Sequence, residues 1–468
     1  MQQRIAGVRE RAQRNIAALI LAAGKGTRMA SPKPKVLQEL LGEPMLWYVW
    51  QTVAELLPLE KVCVLSGYRT AEVQSIFAPG QARHVVQDKQ LGTGHALLCA
   101  LPQLLETGAS YCLVLNGDAP LISSKSLNHF LEQVLEQDPD LAFMSIELDD
   151  PRGYGRVKRG PDSELLGIVE DRDLVDTGEE QIKEVNAGVY LVNLQSMQDC
   201  LQSLDNNNKQ GEYYITQLVD LGLKRDRKVL AVSAGKNPEF LGVNNPAELI
   251  HCEEILRRRI VQELLSAGTI IRNPEQVRIG PRCQVEPGAE ITGPAEVYGA
   301  SIVASQSKLE SHVWIKDCQI RERASIRSFS HLEQAQIGED CQVGPYSRLR
   351  PGVFLRPRAK AGNFVEIKKS ELGEDCKVNH LAYVGDAIVG AGSNIGAGSI
   401  TCNYDGRQKH QTVIAENVFV GSNTSMVAPL YIGKNALIGA GSTVTKDIPE
   451  DALAVARSKQ KNLKRKKK

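Results

Sequence analysis

Residues 279–315 have the sequence IGPRCQVEPGAEITGPAEVYGASIVASQSKLESHVWI, in which an aliphatic residue occupies every sixth position. The same spacing continues to Val444, with occasional one-residue slips. A period of six fits neither an α-helix nor an alternating strand. It is typical of a hexapeptide β-helix, in which each short strand turns one aliphatic side chain inward before a corner. At three hexapeptides per coil, residues 279–447 predict roughly nine coils, so the second half of the chain is expected to be a solenoid.

The six-residue repeat is predicted to be interrupted at two places, residues 356–366 and 401–412, and insertions in repeat arrays tend to become loops on the binding face. His380 lies between these breaks, two residues after the inward position Val378, and is therefore predicted to point to the coil surface. A lone surface histidine usually has no function, but other polar candidates lie in the same zone of the sequence: Lys368, Tyr383, Asn394, Asn403 and Tyr404. A neutral histidine can accept a proton near pH 7, so this zone is a candidate site for general base catalysis.

The first half of the chain has a different pattern. Short apolar strands alternate with amphipathic stretches, which predicts a mostly parallel sheet flanked by helices. The strands are expected at residues 17–21, 61–65, 84–86, 111–115, 141–146 and 185–192. Residues 245–267 are predicted to form one helix that links the sheet domain to the solenoid.

A glycine loop follows the first strand, with the sequence AAGKGTR at residues 22–28. Such a loop can turn backbone N–H groups toward a phosphate, and here it is expected to open a helix. It matches neither the Walker A pattern nor the dinucleotide-binding pattern. Lys35 adds a second cation seven residues after Arg28, which favours a triphosphate ligand. Asp118 comes just past a hydrophobic strand, where a carboxylate suits Mg²⁺, although a loop-capping role is the structural alternative.

Composition limits the partners and the compartment. The 56 Lys and Arg residues balance 55 Asp and Glu residues, so the net charge gives no reason to expect a nucleic acid or a membrane as a binding partner. The longest apolar run, Ile16 to Ala23, is far too short to span a bilayer. The ten cysteines include no CxxC pair, and several precede inward positions of the solenoid, where a small apolar side chain is wanted. Free thiols are typical of a reducing compartment, and a cytoplasmic location is expected.

Motifs across the chain carry a family resemblance. The first half resembles sugar-1-phosphate nucleotidyltransferases in LAAGKGTRM (21–29), PKVL (34–37), QLGTGHA (90–96), NGDAPL (116–121), GYGR (153–156), VNAG (185–188), NNNKQGEYYIT (206–216) and GVNN (242–245). The second half adds NFVEIKKS (363–370), NHLAYVGD (379–386) and GAGSITCNYDG (396–406). Together they resemble the bacterial bifunctional enzymes that act as N-acetylglucosamine-1-phosphate uridyltransferase and glucosamine-1-phosphate N-acetyltransferase. The motifs keep one order from about Asn15 to Arg457.

The resemblance implies an architecture and a reaction sequence. It implies an α/β Rossmann-like nucleotidyltransferase domain at 16–244, a linker helix at 245–268 and a left-handed parallel β-helix acetyltransferase domain at 269–457, between an extension at 1–15 and a basic tail at 458–468. Acetyl transfer from acetyl-CoA to glucosamine-1-phosphate would precede uridylyl transfer from UTP, with Mg²⁺ as cofactor. The product, UDP-N-acetylglucosamine, would supply peptidoglycan and lipopolysaccharide synthesis. Family membership also implies a homotrimer with small-molecule substrates, and neither nucleic acid nor membrane as partner.

The resemblance also implies site residues at matching positions of this sequence. In the first half these are Leu21, Ala22, Ala23, Gly24, Arg28 and Lys35 for the nucleotide, Gln87, Gly92 and Thr93 for uracil, Gly155, Glu170 and Asn186 for the sugar, and Asp118 and Asn244 for the metal, with Asn244 also among the ligand-binding residues. In the solenoid they are His380 as the base, Arg350, Lys368, Tyr383 and Asn394 for the sugar phosphate, and Ala397, Asn403, Tyr404, Ser422, Ala440 and Arg457 for acetyl-CoA. Ala382 departs from the family pattern, in which a small hydroxyl residue is expected.

Two alternatives to a bifunctional enzyme are considered. In the first, only the nucleotidyltransferase is active and the solenoid serves oligomerisation or regulation. The polar cluster around His380 argues against this alternative. In the second, the whole chain is a non-catalytic sugar-nucleotide sensor. Asp118, Asn244 and the loop cations argue against that, because a sensor needs no metal poised for phosphoryl transfer.

Overall fold

The structure is a computed structural model that describes residues 15–174 and 178–463. The predicted N-terminal extension therefore lies outside the described residues except for Asn15, and so do residues 464–468 of the predicted basic tail. The chain divides into two compact units between Ile255 and Leu256. Each unit has its own buried core.

The first unit is built on a central sheet. In spatial order its strands are Val229–Ser233, Leu141–Glu147, Glu184–Asn193, Tyr111–Asn116, Ile16–Ala22, Val62–Ser66 and Arg83–Val86, with Arg156–Arg159 and Leu165–Val169 attached at the side. A short hairpin of Glu39–Leu40 and Glu43–Pro44 stands apart from this sheet. The six predicted strands are present, and all but the edge strand Arg83–Val86 have apolar runs that are buried on both faces.

One strand departs from the predicted parallel pattern. Glu184–Asn193 runs antiparallel to both of its neighbours, while the other pairs along the central path are parallel. Its register against Leu141–Glu147 shifts between Asn186 and Tyr190. Because a bulge of this kind re-aims side chains, the irregularity turns the Asn186 segment out of the regular ladder.

Helices accompany the sheet of the first unit, and the last of them continues past Ile255 into the second unit. The α-helices are Met45–Ala54, Thr70–Gln74, Thr93–Glu106, Ser124–Leu135, Gln198–Gln202, Gln217–Lys224 and Pro246–Ser266. Short 3₁₀ turns lie at Thr27–Met29, Lys35–Leu37, Leu59–Lys61, Asp171–Asp173, Glu179–Gln181 and Pro238–Phe240, and the second unit has one at Pro274–Gln276. The helix Pro246–Ser266 matches the predicted linker helix closely and begins at a proline, whose fixed φ suits the first helical position. None of the described helices combines the length and apolar character that a bilayer crossing requires.

The second unit is a parallel β-helix with three faces. The first face comprises Ile270–Arg272, Glu290–Thr292, Lys308–Leu309, Ser325–Ile326, Gln342–Val343, Lys360–Asn363, Lys377–His380, Asn394–Ile395, Phe419–Val420, Leu437–Ile438 and Leu453–Ala454. The second comprises Val277–Ile279, Ala295–Tyr298, Val313–Lys316, His331–Glu333, Arg348–Leu349, Glu366–Lys368, Tyr383–Gly385, Ile400–Cys402, Ser425–Val427 and Thr443–Val444. The third comprises Gln284–Val285, Ile302–Val303, Gln319–Ile320, Ala335–Ile337, Val353–Leu355, Glu371–Leu372, Ala387–Val389, Thr412–Ile414 and Leu430–Ile432.

The inward positions of the coils are filled as the six-residue period predicts. Ile291, Leu309, Ile326 and Val343 follow one another along the first face and are almost completely buried. Each such side chain contributes about 1.5–3 kcal/mol by leaving water. Cys318, Cys341 and Cys376 are fully buried next to this core, in agreement with their predicted role as small apolar residues, and burial raises the pKa of the Cys376 thiol to about 12.

One of the two predicted interruptions of the repeat is wrong. Residues 356–366 form a regular coil, in which Ala361 takes the inward position between Val343 and Val378 and is fully buried. The pattern was missed because alanine is a small inward residue. The interruption at 401–412 is real. The chain leaves the lattice after Cys402 and returns at Thr412, and Tyr404 pairs with Lys409 across the loop.

Candidate active sites

The glycine loop of the first unit ends differently from its prediction. It leads into the short 3₁₀ turn Thr27–Met29 and not into a helix, because Gly26 and Ala30 on either side of the turn have left-handed backbone angles of +68° and +49° in φ. Glycine is required at position 26 for a second reason. A Cβ at this position would lie 2.4 Å from the Cβ of Lys35, so only glycine lets Lys35 pack against the loop.

Lys35 and Arg28 meet the two predicted metal ligands. The Lys35 ammonium contacts the Asp118 carboxylate in a mostly buried ion pair, and it lies 3.2 Å from Oδ1 of Asn244. Arg28 Nη2 donates to the same Oδ1 at 2.8 Å. Residues 216 positions apart in sequence are therefore in direct contact, and both oxygens face side-chain cations.

The backbone explains why Asp118 and Asn244 come together. Asp118 follows the strand Tyr111–Asn116, which pairs with the first strand so that its end lies beside the glycine loop. The Val243 N–H donates to the carbonyl oxygen of Asp118 at 2.9 Å, which places Asn244 next to the carboxylate. Glu248 accepts from the Asn244 N–H at 2.7 Å and from the Asn245 side chain at 2.6 Å. Asn245 Oδ1 accepts from the Glu248 N–H at 3.0 Å and so caps the start of the long helix.

The three predicted uracil residues form one local structure. Gln87 is buried, and its Nε2 donates to the Gly92 carbonyl at 3.0 Å. Gly92 has a φ of +109°, and a Cβ there would lie 2.5 Å from the carbonyl oxygen of Tyr213. Thr93 Oγ1 accepts from the Ile215 N–H at 3.0 Å at the start of its helix. These contacts tie the QLGTGHA segment to the GEYYIT segment.

Glu170 is the one acid among the three predicted sugar residues, and its pKa is raised. Burial raises its pKa, and Asp173, Asp171 and Glu212 add repulsion in the same direction, while the Thr216 hydroxyl donates to Oε1 at 2.7 Å and opposes the shift. Gly155 stands opposite: a Cβ there would lie 3.5 Å from Glu170 Oε2. Its carbonyl accepts from the Asn186 N–H at 2.8 Å, so the three predicted sugar residues form one wall.

A cleft of about 200 Å³ joins the sugar and metal residues. Of the predicted residues it is lined by Leu21, Thr93, Asp118, Gly155, Glu170, Asn186 and Asn244. Ala22, Ala23, Gly24, Arg28, Lys35, Gln87 and Gly92 are not part of its lining.

The cleft also contains residues that the sequence argument did not assign. Thr216 supports Glu170, Tyr154 exchanges hydrogen bonds with the Gly242 backbone at 3.2 and 3.3 Å, and Asn116 faces Gly188, where a Cβ would lie 2.2 Å from its Nδ2. Thr216 and Tyr154 belong to the quoted motifs GEYYIT and GYGR. Their place in those motifs was the available signal, and only the fold shows what they touch.

The donor set fits a hard divalent cation. Asp118 and Asn244 offer one carboxylate and one amide oxygen that already converge on a single ammonium group. Mg²⁺ typically binds one or two protein oxygens and completes its shell with phosphates and water. The described residues contain no cluster of three or more His, Cys, Asp and Glu side chains, so an all-protein cage for a softer metal has no counterpart there.

The predicted acetyl-transfer residues of the second unit fall into two groups. His380, Ala397, Ser422, Ala440 and Arg457 end or follow first-face strands, whereas Lys368, Asn403 and Tyr404 end or follow second-face strands. His380 ends a first-face strand, and it is exposed, as predicted. Its Nδ1 lies 2.6 Å from Oδ1 of Asn363, the residue directly paired with it on the preceding coil. Because an amide oxygen only accepts, the Nδ1 of His380 carries the proton and Nε2 is left as a base. The sequence argument missed Asn363.

Cations lie on the adjoining second-face strands. Lys368 Nζ is 3.6 Å from Asp386 Oδ2, which also accepts from the side chain of Asn403. Arg350 pairs with Glu366 at 3.0 Å, and Glu366 is the register partner of Tyr383. Lys368 ends one second-face strand, and Arg350 directly follows another.

Lys409 is a further cation that the sequence argument missed. It lies in the loop that leaves the lattice after Cys402, and its pKa is lowered because its side chain contacts the Lys368 ammonium. Asp405 braces the same loop. It accepts from the backbone N–H groups of Arg407 and Gln408, both at 2.7 Å, and faces His410 at 2.7 Å, contacts that hold its pKa well below the ordinary value. Only the folded loop brings Lys409 beside Lys368.

Four of the six predicted acetyl-CoA residues continue the column of His380 along the corner. In successive coils the N–H of Gly398 donates to the His380 carbonyl, that of Asn423 to the Ala397 carbonyl and that of Gly441 to the Ser422 carbonyl. The Arg457 side chain completes the column, because its Nη1 donates to the Ala440 carbonyl at 2.6 Å. At roughly 4.8 Å per coil, His380 and Arg457 are separated by about 19 Å along this edge. The column is suited to an elongated ligand with its reactive end at His380.

The remaining predicted residues lie beside this column or away from it. Tyr404 is exposed in the loop, and its hydroxyl donates to the Gly406 carbonyl at 2.8 Å. Asn394 is placed differently: it lies in the column of Lys377 and Phe419, three positions before Ala397, and the single chain does not bring it to His380. Ala382, the departure from the family pattern, is buried behind the corner.

Comparisons with known proteins agree with both halves of this description. The family model described as MobA-like NTP transferase domain matches residues 18–175, and the model described as bacterial transferase hexapeptide (six repeats) matches residues 411–446. The chain is similar to proteins named bifunctional protein GlmU. That of Nitratidesulfovibrio vulgaris (strain Miyazaki F) is 49% identical over 96% of this chain and 98% of its own length. Those of Oleidesulfovibrio alaskensis and Lawsonia intracellularis are 46% and 45% identical, each over 96% of this chain and over 97% and 98% of their own lengths.

Fold and sites together define a two-domain transferase, a nucleotidyltransferase joined to a left-handed hexapeptide β-helix. The chain belongs to the family of the bifunctional protein GlmU. It is a bifunctional enzyme with a nucleotidyltransferase half and an acetyltransferase half. The predicted family, fold class, enzyme class and synthesis of UDP-N-acetylglucosamine are thereby confirmed.

Proposed function

We propose that the second unit transfers the acetyl group of acetyl-CoA to glucosamine-1-phosphate, and that the first unit then couples the product to UTP. The observation that carries this assignment is the contact of His380 with Asn363 at the start of the corner column. It distinguishes a catalytic solenoid from the alternative in which the solenoid only serves assembly, because a scaffold needs no oriented base.

In acetyl transfer, His380 Nε2 removes a proton from the amine of glucosamine-1-phosphate while Asn363 holds the proton on Nδ1. The amine nitrogen attacks the thioester carbonyl, the carbon–sulfur bond breaks, and coenzyme A leaves as a thiol after protonation. Arg350 and Lys368 bind the sugar phosphate, helped by Lys409, and Tyr383 and Asn394 contact the sugar. Ala397, Asn403, Tyr404, Ser422, Ala440 and Arg457 bind acetyl-CoA along the column.

In uridylyl transfer, a phosphate oxygen of N-acetylglucosamine-1-phosphate attacks the α-phosphate of UTP, and pyrophosphate leaves. The glycine loop from Leu21 to Gly24, with Arg28 and Lys35, binds the triphosphate and neutralises its charge. Gln87, Gly92 and Thr93 bind uracil, and Gly155, Glu170 and Asn186 bind the sugar. Asp118 and Asn244 hold Mg²⁺, which supplies further charge neutralisation at the transferred phosphoryl group.

We also propose a homotrimer, supported by an exposed stack of rings on one corner of the solenoid. The rings of His312, Phe329, Tyr346 and Phe364 stack with centroids 4.7, 4.8 and 5.1 Å apart. About half of the Phe329, Tyr346 and Phe364 side chains is exposed, and Leu381 extends the stack beside His380. Contiguous apolar surface of this kind typically marks an interface between proteins. Light scattering should give the mass of a trimer for the wild type and a lower mass for Phe364→Ser.

A cytoplasmic site of action completes the proposal. None of the ten cysteines forms a disulfide, and most of them are buried. Burial raises the pKa of the Cys318 and Cys341 thiols to about 11, which keeps them protonated and unreactive.

Two assays on purified protein test the proposed reactions. The first measures thiol release from acetyl-CoA with glucosamine-1-phosphate, and the second measures pyrophosphate release from UTP with N-acetylglucosamine-1-phosphate and Mg²⁺. The wild type should do both, and His380→Ala should lose only thiol release. His129→Ala, which removes an exposed imidazole from the helix Ser124–Leu135, is the control and should keep both activities. A wild type that releases pyrophosphate but never thiol would leave the solenoid as a scaffold.

A further inference from the structure

The metal pair Asp118 and Asn244 is bridged by cations that belong to the chain. The Lys35 ammonium contacts the Asp118 carboxylate and lies 3.2 Å from Asn244 Oδ1, and Arg28 Nη2 donates to that same oxygen at 2.8 Å. The Lys35 and Asp118 side chains are only 14% and 17% exposed, so solvent screens their attraction poorly. A positive charge therefore stands between the two oxygens that would hold the metal.

The same two cations are needed by the triphosphate. A mostly buried site cannot favourably hold Mg²⁺, the Lys35 ammonium and the Arg28 guanidinium together against one carboxylate, because like charges a few ångströms apart repel. The charge of the triphosphate removes this conflict. With a nucleotide bound, the lysine and arginine have phosphate oxygens as partners and Asp118 is free for the metal.

Backbone contacts let this exchange occur without rebuilding the site. Asp118 is held through its carbonyl oxygen, which accepts from the Val243 N–H, and Asn244 is held through its N–H, which donates to Glu248. Neither anchor uses the two side-chain oxygens. The side chain of Lys35 packs against Gly26 of the nucleotide loop, so a short swing of its end moves the ammonium from the carboxylate toward the loop.

We propose that Lys35, assisted by Arg28, is a stand-in cation that keeps the metal pair assembled in the free enzyme and passes to the triphosphate when the metal binds. The inference rests on the proposed metal site. It makes Lys35 a positioning residue of the metal pair in addition to a nucleotide ligand. It also makes metal and nucleotide binding reciprocal: each ligand raises the affinity for the other, because each removes the charge conflict that the other meets.

Metal binding without turnover tests the inference. Mn²⁺ is titrated into the full-length protein and the free ion is followed by electron paramagnetic resonance, first without nucleotide and then with saturating UTP and no sugar phosphate. Because UTP itself binds Mn²⁺, a protein-free titration with the same UTP concentration is subtracted. Lys35→Met should lower the Mn²⁺ Kd measured without nucleotide by about tenfold, and UTP should then improve binding much less than in the wild type, where typical couplings are about 5- to 150-fold. Lys25→Met removes the same charge from the exposed part of the loop and should leave the Kd measured without nucleotide near the wild-type value.

Contrary outcomes separate the inference from the function on which it rests. An unchanged or higher Kd for Lys35→Met without nucleotide overturns the stand-in role, and so does an equal gain in Lys25→Met, which would reduce the effect to general charge. Lys35→Gln repeats the test if thermal melting shows that the methionine variant is unfolded. Asp118→Ala should abolish Mn²⁺ binding in every background. If it binds Mn²⁺ like the wild type, the proposed metal site is wrong, and the inference falls with it.

Discussion

Asn363 Oδ1 and His380 Nδ1 lie 2.6 Å apart, on directly paired residues of successive coils. Parallel strand pairing brings the two side chains together, because it places Asn363 of one coil directly beside His380 of the next. A carboxylate in place of Asn363 would stabilise the imidazolium form, whereas an amide fixes the tautomer without adding charge. In the neutral imidazole, the pair therefore leaves Nε2 as the proton acceptor.

Replacing Asn363 should affect acetyl transfer alone. Asn363→Ala should lower kcat for thiol release by about 10- to 100-fold with little change in KM, because the base keeps its substrates but loses its orientation. Asn363→Asp should restore part of kcat and move the acid limb of the pH–rate profile to higher pH, since the carboxylate favours the protonated histidine. If Asn363→Ala loses activity while Asn363→Asp leaves the pH profile unchanged, the role of Asn363 is merely structural.

Asp118→Ala should abolish uridylyl transfer and leave acetyl transfer intact. The variant removes the carboxylate that pairs with Lys35 and that we assign to Mg²⁺, while His380 lies in the other compact unit. Pyrophosphate release and thiol release are measured on the same preparation. Asp149→Ala, which breaks an exposed ion pair with Lys236 in the same unit, is the control and should keep both activities. Full pyrophosphate release by Asp118→Ala at ordinary Mg²⁺ concentration would remove the metal assignment.

Much of this architecture was predictable because its cause is local. A solenoid repeats one steric requirement every six residues, so the inward positions are visible in the sequence even where the chain slips. Ala361 escaped notice because a small inward residue resembles an interruption. The antiparallel strand Glu184–Asn193 was also missed in its direction, since apolar content does not reveal which way a buried strand runs.

The site was predictable in its residues and much less in its contacts. Asp118, Lys35 and Asn244 were identified through their motifs, but their mutual contact depends on long-range strand pairing that no spacing reveals. Lys409 and Asn363 were missed for a related reason. Lys409 approaches Lys368 only through the hairpin of its loop, and Asn363 meets His380 only because one coil is stacked on the next.

Gly92→Ala should destabilise the first unit and impair uridylyl transfer. Its Cβ would lie 2.5 Å from the carbonyl oxygen and 2.8 Å from the nitrogen of Tyr213, so backbone must move in addition to the strain of a φ of +109°. Gly80 is the matched control, with a φ of +83° and nothing within 4 Å of its added Cβ. Gly80→Ala should cost about 1 kcal/mol of unfolding free energy from strain, and Gly92→Ala should cost more. Equal melting temperatures for the two variants would contradict the close approach of Gly92 to Tyr213.

The buried carboxyl of Glu170 should make stability depend on pH in a defined direction. Burial raises its pKa in the folded protein, and repulsion from Asp173, Asp171 and Glu212 adds to the effect. Between the unfolded and folded pKa values, the folded state therefore holds a proton that the unfolded state has already lost. Stability contributed by this group is therefore present below the unfolded value and is lost as the pH rises through the folded one.

Glu170→Gln removes the free-energy cost of ionising this carboxyl in the folded state. It should therefore raise the thermal unfolding temperature at pH 7 to 8, and the gain should shrink as the pH is lowered toward 5. The same variant should lose uridylyl transfer, because a neutral amide is a weaker acceptor for a sugar hydroxyl than a carboxylate. Glu164→Gln, at an exposed loop position of the same unit, should change neither quantity. A variant that gains stability equally at pH 5 and pH 8 would show that the effect of Glu170 is packing, not charge.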